Sequence, residues 1–270
     1  MSDLAGSVAV RAPRPAGWVL SVYPRAAEAG GCFVSSYQPE RSYVARGNAG
    51  DPQRAADEAA RRARAKVRRF CAANGLNRMG SLTYAPLDPS AQVILRGHIV
   101  RCSDPRLVRA HVGEFFRSLR DNLGGKPLPY VWVPELHGDG VNFHIHFAVG
   151  RFIHWRLVCS TWGLGGVNMK LLGDLPVGSG TLGEARRAAG YLSKYVTKQF
   201  TDPSTRPFGM HRYDVAQGFQ PQRERIWGRC AEEVLARASQ TFGQEPSRQW
   251  SSADVQDWQG PPAIWAQWGR

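Results

Sequence analysis

The spacing of apolar residues divides the chain into a regular core and two less regular ends. Asp51 can cap a helix and Pro52 suits its first position. That helix is predicted to run to about Ala73, where Asn74-Gly75 stops it. Arg78–Ala85 reads as a strand ended by Pro86, with Gln92–Val100 as its possible partner. Val108, Val112, Phe115, Phe116 and Leu119 recur at helical spacing, so Arg106–Leu123 reads as an amphipathic helix closed by Gly124-Gly125. Two strands follow, Leu128–Leu136 and Val141–Val149, joined by His137-Gly-Asp-Gly140, whose composition suits a hairpin. A short helix around Ile153–Trp162, a strand near Gly166–Leu172 and a helix from about Leu182 to Phe200 complete the core.

Residues 1–50 are rich in Gly, Ala and Pro, with short apolar stretches such as Trp18–Val22, and read as an irregular extension holding a strand or two. Residues 201–270 are rich in Pro, Gln, Arg and Trp and show one plausible helix near Ala231–Ser239. The expected organisation is an N-terminal extension over 1–50, a central domain over 51–200 and a C-terminal extension over 201–270. In the last segment, His211-Arg212-Tyr213 and Trp250, Trp258, Trp265 and Trp268 either bind DNA or pack. Packing is favoured, because large aromatics are more often buried than not.

Composition narrows the partners. The 270 residues are 43% hydrophobic, enough for a packed core. Thirty-five basic against 22 acidic residues leave a formal charge of +13. That favours a polyanion: nucleic acid first, an anionic membrane second. No apolar run approaches the roughly 18 residues of a spanning helix. Arg11 and Arg14 interrupt the N-terminus before any long apolar stretch, which argues against a signal peptide, so the cytoplasm is the expected compartment. The five cysteines are scattered with no CxxC pair, which fits reduced thiols better than a disulfide framework or a zinc finger. There is no GxxxxGK[ST] loop and hence no recognisable nucleotide-driven motor. The first helix carries Arg61, Arg62, Arg64, Lys66, Arg68 and Arg69 without an intervening acid. Such a run is either a solvated face or a phosphate-binding one.

Two short segments carry candidate chemistry. In Phe143-His144-Ile145-His146-Phe147, strand alternation points both imidazoles to one face and the apolar residues to the other. Two imidazoles on a rigid strand make a two-point metal clamp, and the neighbouring strand offers Glu135 as the better third ligand and His137 as the runner-up. This donor set suits Mn²⁺ or Zn²⁺ by affinity, while cellular Mg²⁺ could still serve where one phosphate oxygen needs coordination. The second segment is Tyr191-Leu-Ser-Lys194-Tyr195-Val-Thr-Lys198. Helical spacing puts Tyr191 and Tyr195 on one side, each followed three residues later by a lysine. Only five of the basic residues are lysines, so two at this spacing are informative. A free phenol has a pKa of about 10, so full ionisation at pH 7 needs roughly 4 kcal/mol. One exposed lysine supplies well under that, and a metal polarising the phosphodiester would contribute much of the rest.

These residues resemble the HUH superfamily of DNA-nicking enzymes, and within it the rolling-circle replication initiators of plasmids and small single-stranded-DNA phages. Ser81-Leu82-Thr83-Tyr84-Ala85-Pro86 resembles the family's first motif. Glu135 with His144-Ile145-His146 resembles its metal motif, and Tyr191-Leu-Ser-Lys194-Tyr195 its two-tyrosine YxxKY motif. The resemblance covers about residues 55–200. It implies an α+β fold, with a central antiparallel sheet and flanking helices of the RRM/ferredoxin-like kind. It also implies a divalent metal, Mg²⁺ or Mn²⁺, and tyrosine attack on single-stranded or extruded origin DNA, giving a 5′-phosphotyrosine and a free 3′-hydroxyl. Both tyrosines are expected to work, one in initiation and one in termination. A host helicase and replication machinery are the expected partners. The metal motif has no third histidine, which makes a conjugative relaxase a poorer match. The alternatives are a transposase of the same superfamily and a non-catalytic nucleic-acid-binding protein, which the charge and nine tryptophans would equally support.

Overall fold

The computed structural model describes residues 15–37, 44–45, 48–84, 94–95, 98–99, 104–136, 143–171, 180–201 and 211–269. Among them lie two antiparallel five-stranded sheets, a two-stranded pair and five helices. The expected α+β architecture with an antiparallel sheet and flanking helices is therefore present.

The chain divides into two compact units. The first draws on Met1–Val22, Glu28–Tyr43 and Arg223–Gly269. Its strands are β1 (Gly17–Tyr23), β2 (Glu28–Val34), β10 (Glu224–Gly228), β11 (Arg248–Ser251) and β12 (Ala263–Gln267). They form one sheet in the order β10-β1-β2-β12-β11. Helix α5 (Ala231–Phe242) belongs to this unit, and its Phe242 stacks on the fully buried Trp268 at 4.4 Å. Trp250 meets Trp258 edge-on at 5.3 Å. Packing thus accounts for these three tryptophans.

The second unit draws on Tyr23–Ala27 and Val44–Gln222. Its strands are β3 (Arg78–Thr83), β6 (Tyr130–Leu136), β7 (Phe143–Val149), β8 (Val167–Leu171) and β9 (Asp214–Val215). The sheet runs β8-β3-β7-β6-β9, with every neighbouring pair antiparallel. No apolar pattern announces β9, a two-residue strand along β6. A separate pair, β4 (Ile94–Leu95) and β5 (His98–Ile99), sets Ile94 opposite Ile99. The expectation that Gln92–Val100 partners β3 is therefore corrected. Both edges of β3 are taken by β7 and β8, and Gly97 inside that apolar run has the composition of a turn. The expected turn at 137–140 lies outside the described residues.

Two layers of helices cover this sheet. On one face α2 (Pro105–Asn122) and α3 (Trp155–Trp162) bury Val112, Phe115, Phe116 and Trp162 against Leu82, Ile145 and Phe147. On the other, α1 (Pro52–Asn74) and α4 (Gly180–Thr201) pack Val67, Phe70, Ala188, Ala189, Leu192 and Val196 against Met79, Val131, Val133 and Ala148. Small side chains at Ala63, Ala188 and Ala189 let these helices lie close together on the sheet. The boundaries of α1 follow local chemistry. The Asp51 side chain accepts from the Arg54 amide at 2.9 Å, and Gly75 takes the left-handed conformation that ends the helix.

Gly80 shows how tightly the centre is built. A Cβ there would lie 2.4 Å from the Phe147 ring and 2.7 Å from Met169 Sδ. Phe147 is itself wedged edge-on against Phe115 and Phe116 at 5.8 Å, so it has little room to yield. Gly80→Ala is expected to cost about 1–3 kcal/mol of stability through overpacking. Urea denaturation of the full chain checks this, and an unchanged midpoint would contradict a pinned Phe147.

Candidate active site

β7 is a central strand buried on both faces, and its alternation sets up the site. Phe143, Ile145, Phe147 and Val149 enter the α2–α3 core. His144 and His146 therefore face α1 and α4. Register puts Glu135 of β6 directly opposite His144, and Ser81 of β3 opposite His146. Three strands thus deliver polar side chains to one spot in an otherwise apolar layer.

The donor atoms converge. His144 Nε2 and His146 Nε2 are 2.7 Å apart, and Glu135 Oε2 lies 2.9 Å from the second and 3.5 Å from the first. Two imidazole lone pairs repel at such a distance unless a proton or a cation lies between them. Ligand bonds of about 2.0–2.2 Å allow donors of one ion to stand up to roughly 4 Å apart, so all three pairs are within reach of a single ion. Glu135, His144 and His146 form a group that could hold a metal ion. His137, the runner-up ligand, lies outside the described residues.

The surroundings tune these ligands. His146 is only 4% exposed. Burial, aided by the nearby His144, lowers its pKa to about 4 against the opposing hydrogen bond with Glu135. It is therefore neutral at physiological pH, the form that ligates metals. Its Nδ1 lies 3.1 Å from Ser81 Oγ. When a cation takes the place of the Nε2 proton, Nδ1 carries the proton and Ser81 accepts it, leaving the Nε2 lone pair directed at the cluster. Burial alone would raise the Glu135 pKa. Hydrogen bonds from His146 and Lys198 outweigh it and hold the carboxyl below its ordinary value. Lys198 Nζ donates to Glu135 Oε1 at 3.0 Å, leaving Oε2 for the histidines.

The tyrosines of α4 lie against the same cluster. The Tyr195 ring stacks on His146 at 3.7 Å and 19°. Tyr191 meets His146 edge-on at 6.3 Å. The Tyr195 hydroxyl donates to the Tyr191 hydroxyl at 2.7 Å. Burial first, then that hydrogen bond, pushes the Tyr195 phenol well up and keeps it protonated. Tyr191 is 41% exposed and stands open to an incoming molecule.

The structure thus gathers Glu135, His144, His146, Tyr191, Tyr195 and Lys198. Lys198 contacts Glu135, although its spacing in the sequence had paired it with Tyr195. Lys194 is exposed on the same helix. The basic residues of α1 do not present one uniform face. Arg62 pairs with Glu58 at 3.3 Å, Arg64 donates to Thr197 Oγ1 at 3.1 Å, Lys66 lies over the Tyr213 ring at 5.8 Å, and Arg69 donates to the Tyr23 hydroxyl. Arg61 is exposed and Arg68 half-buried. Ser81 is the contributor that sequence reasoning did not single out. Its register opposite the HxH strand is the signal that could have found it.

Ser81→Ala removes the group that orients His146. Mn²⁺ affinity measured by calorimetry is expected to fall about 10–100-fold, with Ser81→Thr restoring much of it. Unchanged affinity in Ser81→Ala would show that the tautomer of His146 is fixed by other means.

No curated protein and no solved structure matches the chain. Among the described residues no helix is long and apolar enough to cross a membrane. Residues 77–200, from the start of β3 to the last turn of α4, match the family model of replication-associated protein ORF2 and gene II protein, which supports a replication initiator that interacts with DNA.

Proposed function

We propose that this protein is a rolling-circle replication initiator of the HUH, two-tyrosine type, which nicks and rejoins single-stranded or extruded origin DNA. The observation that carries the reading is the stacking of Tyr195 on His146, with Tyr191 hydrogen-bonded beside it. A weak nucleophile and a candidate metal cluster share one surface, and each lacks what the other supplies.

In this reading the Tyr191 oxygen attacks a backbone phosphorus, because it is the more exposed phenol. A tyrosine–phosphorus bond forms, the bond from phosphorus to the 3′ oxygen breaks, and the phenolic proton is lost as the 3′ oxygen takes one up. The product is a 5′-phosphotyrosine and a 3′-hydroxyl able to prime synthesis. A divalent ion held by Glu135, His144 and His146, Mg²⁺ or Mn²⁺, would polarise the attacked phosphate. Lys198 anchors the carboxylate, and Lys194, exposed one turn from Tyr191, offers positive charge to the phosphate. Tyr195 serves the second attack, once the product on Tyr191 has broken the hydrogen bond between the hydroxyls. The basic residues of α1 supply phosphate contacts outside the reacting centre, and a host helicase unwinds the duplex.

The test is a denaturing gel of protein incubated with labelled single-stranded origin oligonucleotide and Mn²⁺. Wild type is expected to give a covalent adduct. Tyr191→Phe should abolish it, and Tyr195→Phe should keep the first cleavage but lose rejoining through repeated cycles. Binding without any adduct would favour a non-catalytic DNA-binding protein.

A further inference from the structure

The segment after β7 has a composition unlike its surroundings. Residues 140–173 contain no aspartate or glutamate. Within them, Arg151-Phe-Ile-His-Trp-Arg156 mixes basic and aromatic residues around the start of α3. The structure sorts these side chains sharply. Ile153 turns inward and is 4% exposed, while Phe152 is 70% and Trp155 55% exposed. Two large aromatics three positions apart, both turned to solvent, forgo burial that each would gain in a core. The Arg78 guanidinium lies over the Phe152 ring, 6.0 Å from its centroid. Arg156 is exposed and Arg151 partly so. The first turn of α3 holds no acid. Arg78 reaches a carboxylate only through Asn77, which accepts from Arg78 at 2.9 Å and donates to Glu184 at 2.7 Å.

Exposed aromatic faces flanked by arginines, with no acid in the segment, suit one occupant. Single-stranded nucleic acid presents unstacked bases for the rings and phosphates for the guanidinium groups. A duplex hides its base faces, and an acidic protein would have no use for two solvent-facing rings beside arginines. This surface lies beyond the C-terminal end of β7, whereas His144 and His146 lie in its first half. It is therefore separate from the reacting centre.

We infer that Phe152 and Trp155, with Arg78, Arg151 and Arg156, form a second binding surface that stacks and holds single-stranded DNA flanking the nick site. The inference rests on the DNA-nicking reading but uses none of the metal or tyrosine residues. Its role is to fix the register of the strand by gripping bases away from the scissile phosphate.

The experiment measures anisotropy of a fluorescein-labelled single strand of about 30 nucleotides, long enough to exceed one binding site, in EDTA so that no covalent chemistry contributes. Phe152→Ala/Trp155→Ala is expected to weaken binding by about tenfold or more. Phe152→Tyr/Trp155→Phe, which keeps both rings, should retain most of the affinity. Arg151→Gln/Arg156→Gln should flatten the slope of log affinity against log salt by about 0.7 for each lost phosphate contact. Wild-type affinity in the double alanine variant overturns the inference. So does a change in its oligomeric state without loss of DNA affinity, which would mark a protein interface. In either case an adduct still formed with Mn²⁺ leaves the nicking reading standing. Wild-type protein that neither binds the strand nor forms an adduct overturns both.

Discussion

Burying an imidazole in the middle of a sheet is costly unless its polar edges are satisfied, and the second unit is arranged around meeting that cost for His146. β3 supplies Ser81 to one nitrogen and β6 supplies Glu135 to the other. α4 lays an aromatic ring over the imidazole face. Lys198 then balances the carboxylate from the next turn of the same helix. Remove Ser81 or Glu135 and a polar edge is left buried among the apolar residues of the α1–α4 layer. The close donor triangle follows from strand register and alternation, before any ion is considered.

The same arrangement explains why α4 carries both tyrosines. A helix laid against the sheet by Ala188, Ala189, Leu192 and Val196 has its inward face fixed. Residues one turn apart then share the edge of that face, where Tyr191 and Tyr195 can reach His146. The sheet's opposite face, filled by Phe115, Phe116, Phe147 and Trp162, contributes rigidity and no chemistry. Division of labour between two faces of one strand is thus written into Phe143-His144-Ile145-His146-Phe147.

Much of this was legible in the sequence because it is local. Strand alternation places the histidines on a common face, helical spacing pairs the tyrosines, and Asp51, Pro52 and Gly75 mark the ends of α1. What was not legible depends on distant partners. The pairing of β3 with β7 and β8, rather than with Gln92–Val100, is decided by the whole sheet. Nothing near Ser81 announces a histidine sixty-five residues away. Lys198 has the spacing of a tyrosine's partner and the position of a carboxylate's. The mixture of basic and aromatic residues from Arg151 to Arg156 is plain in the sequence, but only exposure separates Phe152 and Trp155 from an ordinary core. Likewise, strands near the N-terminus and near the C-terminal end join one sheet without any motif to say so.

Whether the polar triangle is a metal site is the claim on which the chemical account turns. Anomalous scattering at the manganese edge from Mn²⁺-loaded crystals addresses it directly. The account predicts one strong peak within bonding distance of His144 Nε2, His146 Nε2 and Glu135 Oε2 together. Loaded crystals with no peak there, in protein that still nicks DNA, would contradict it.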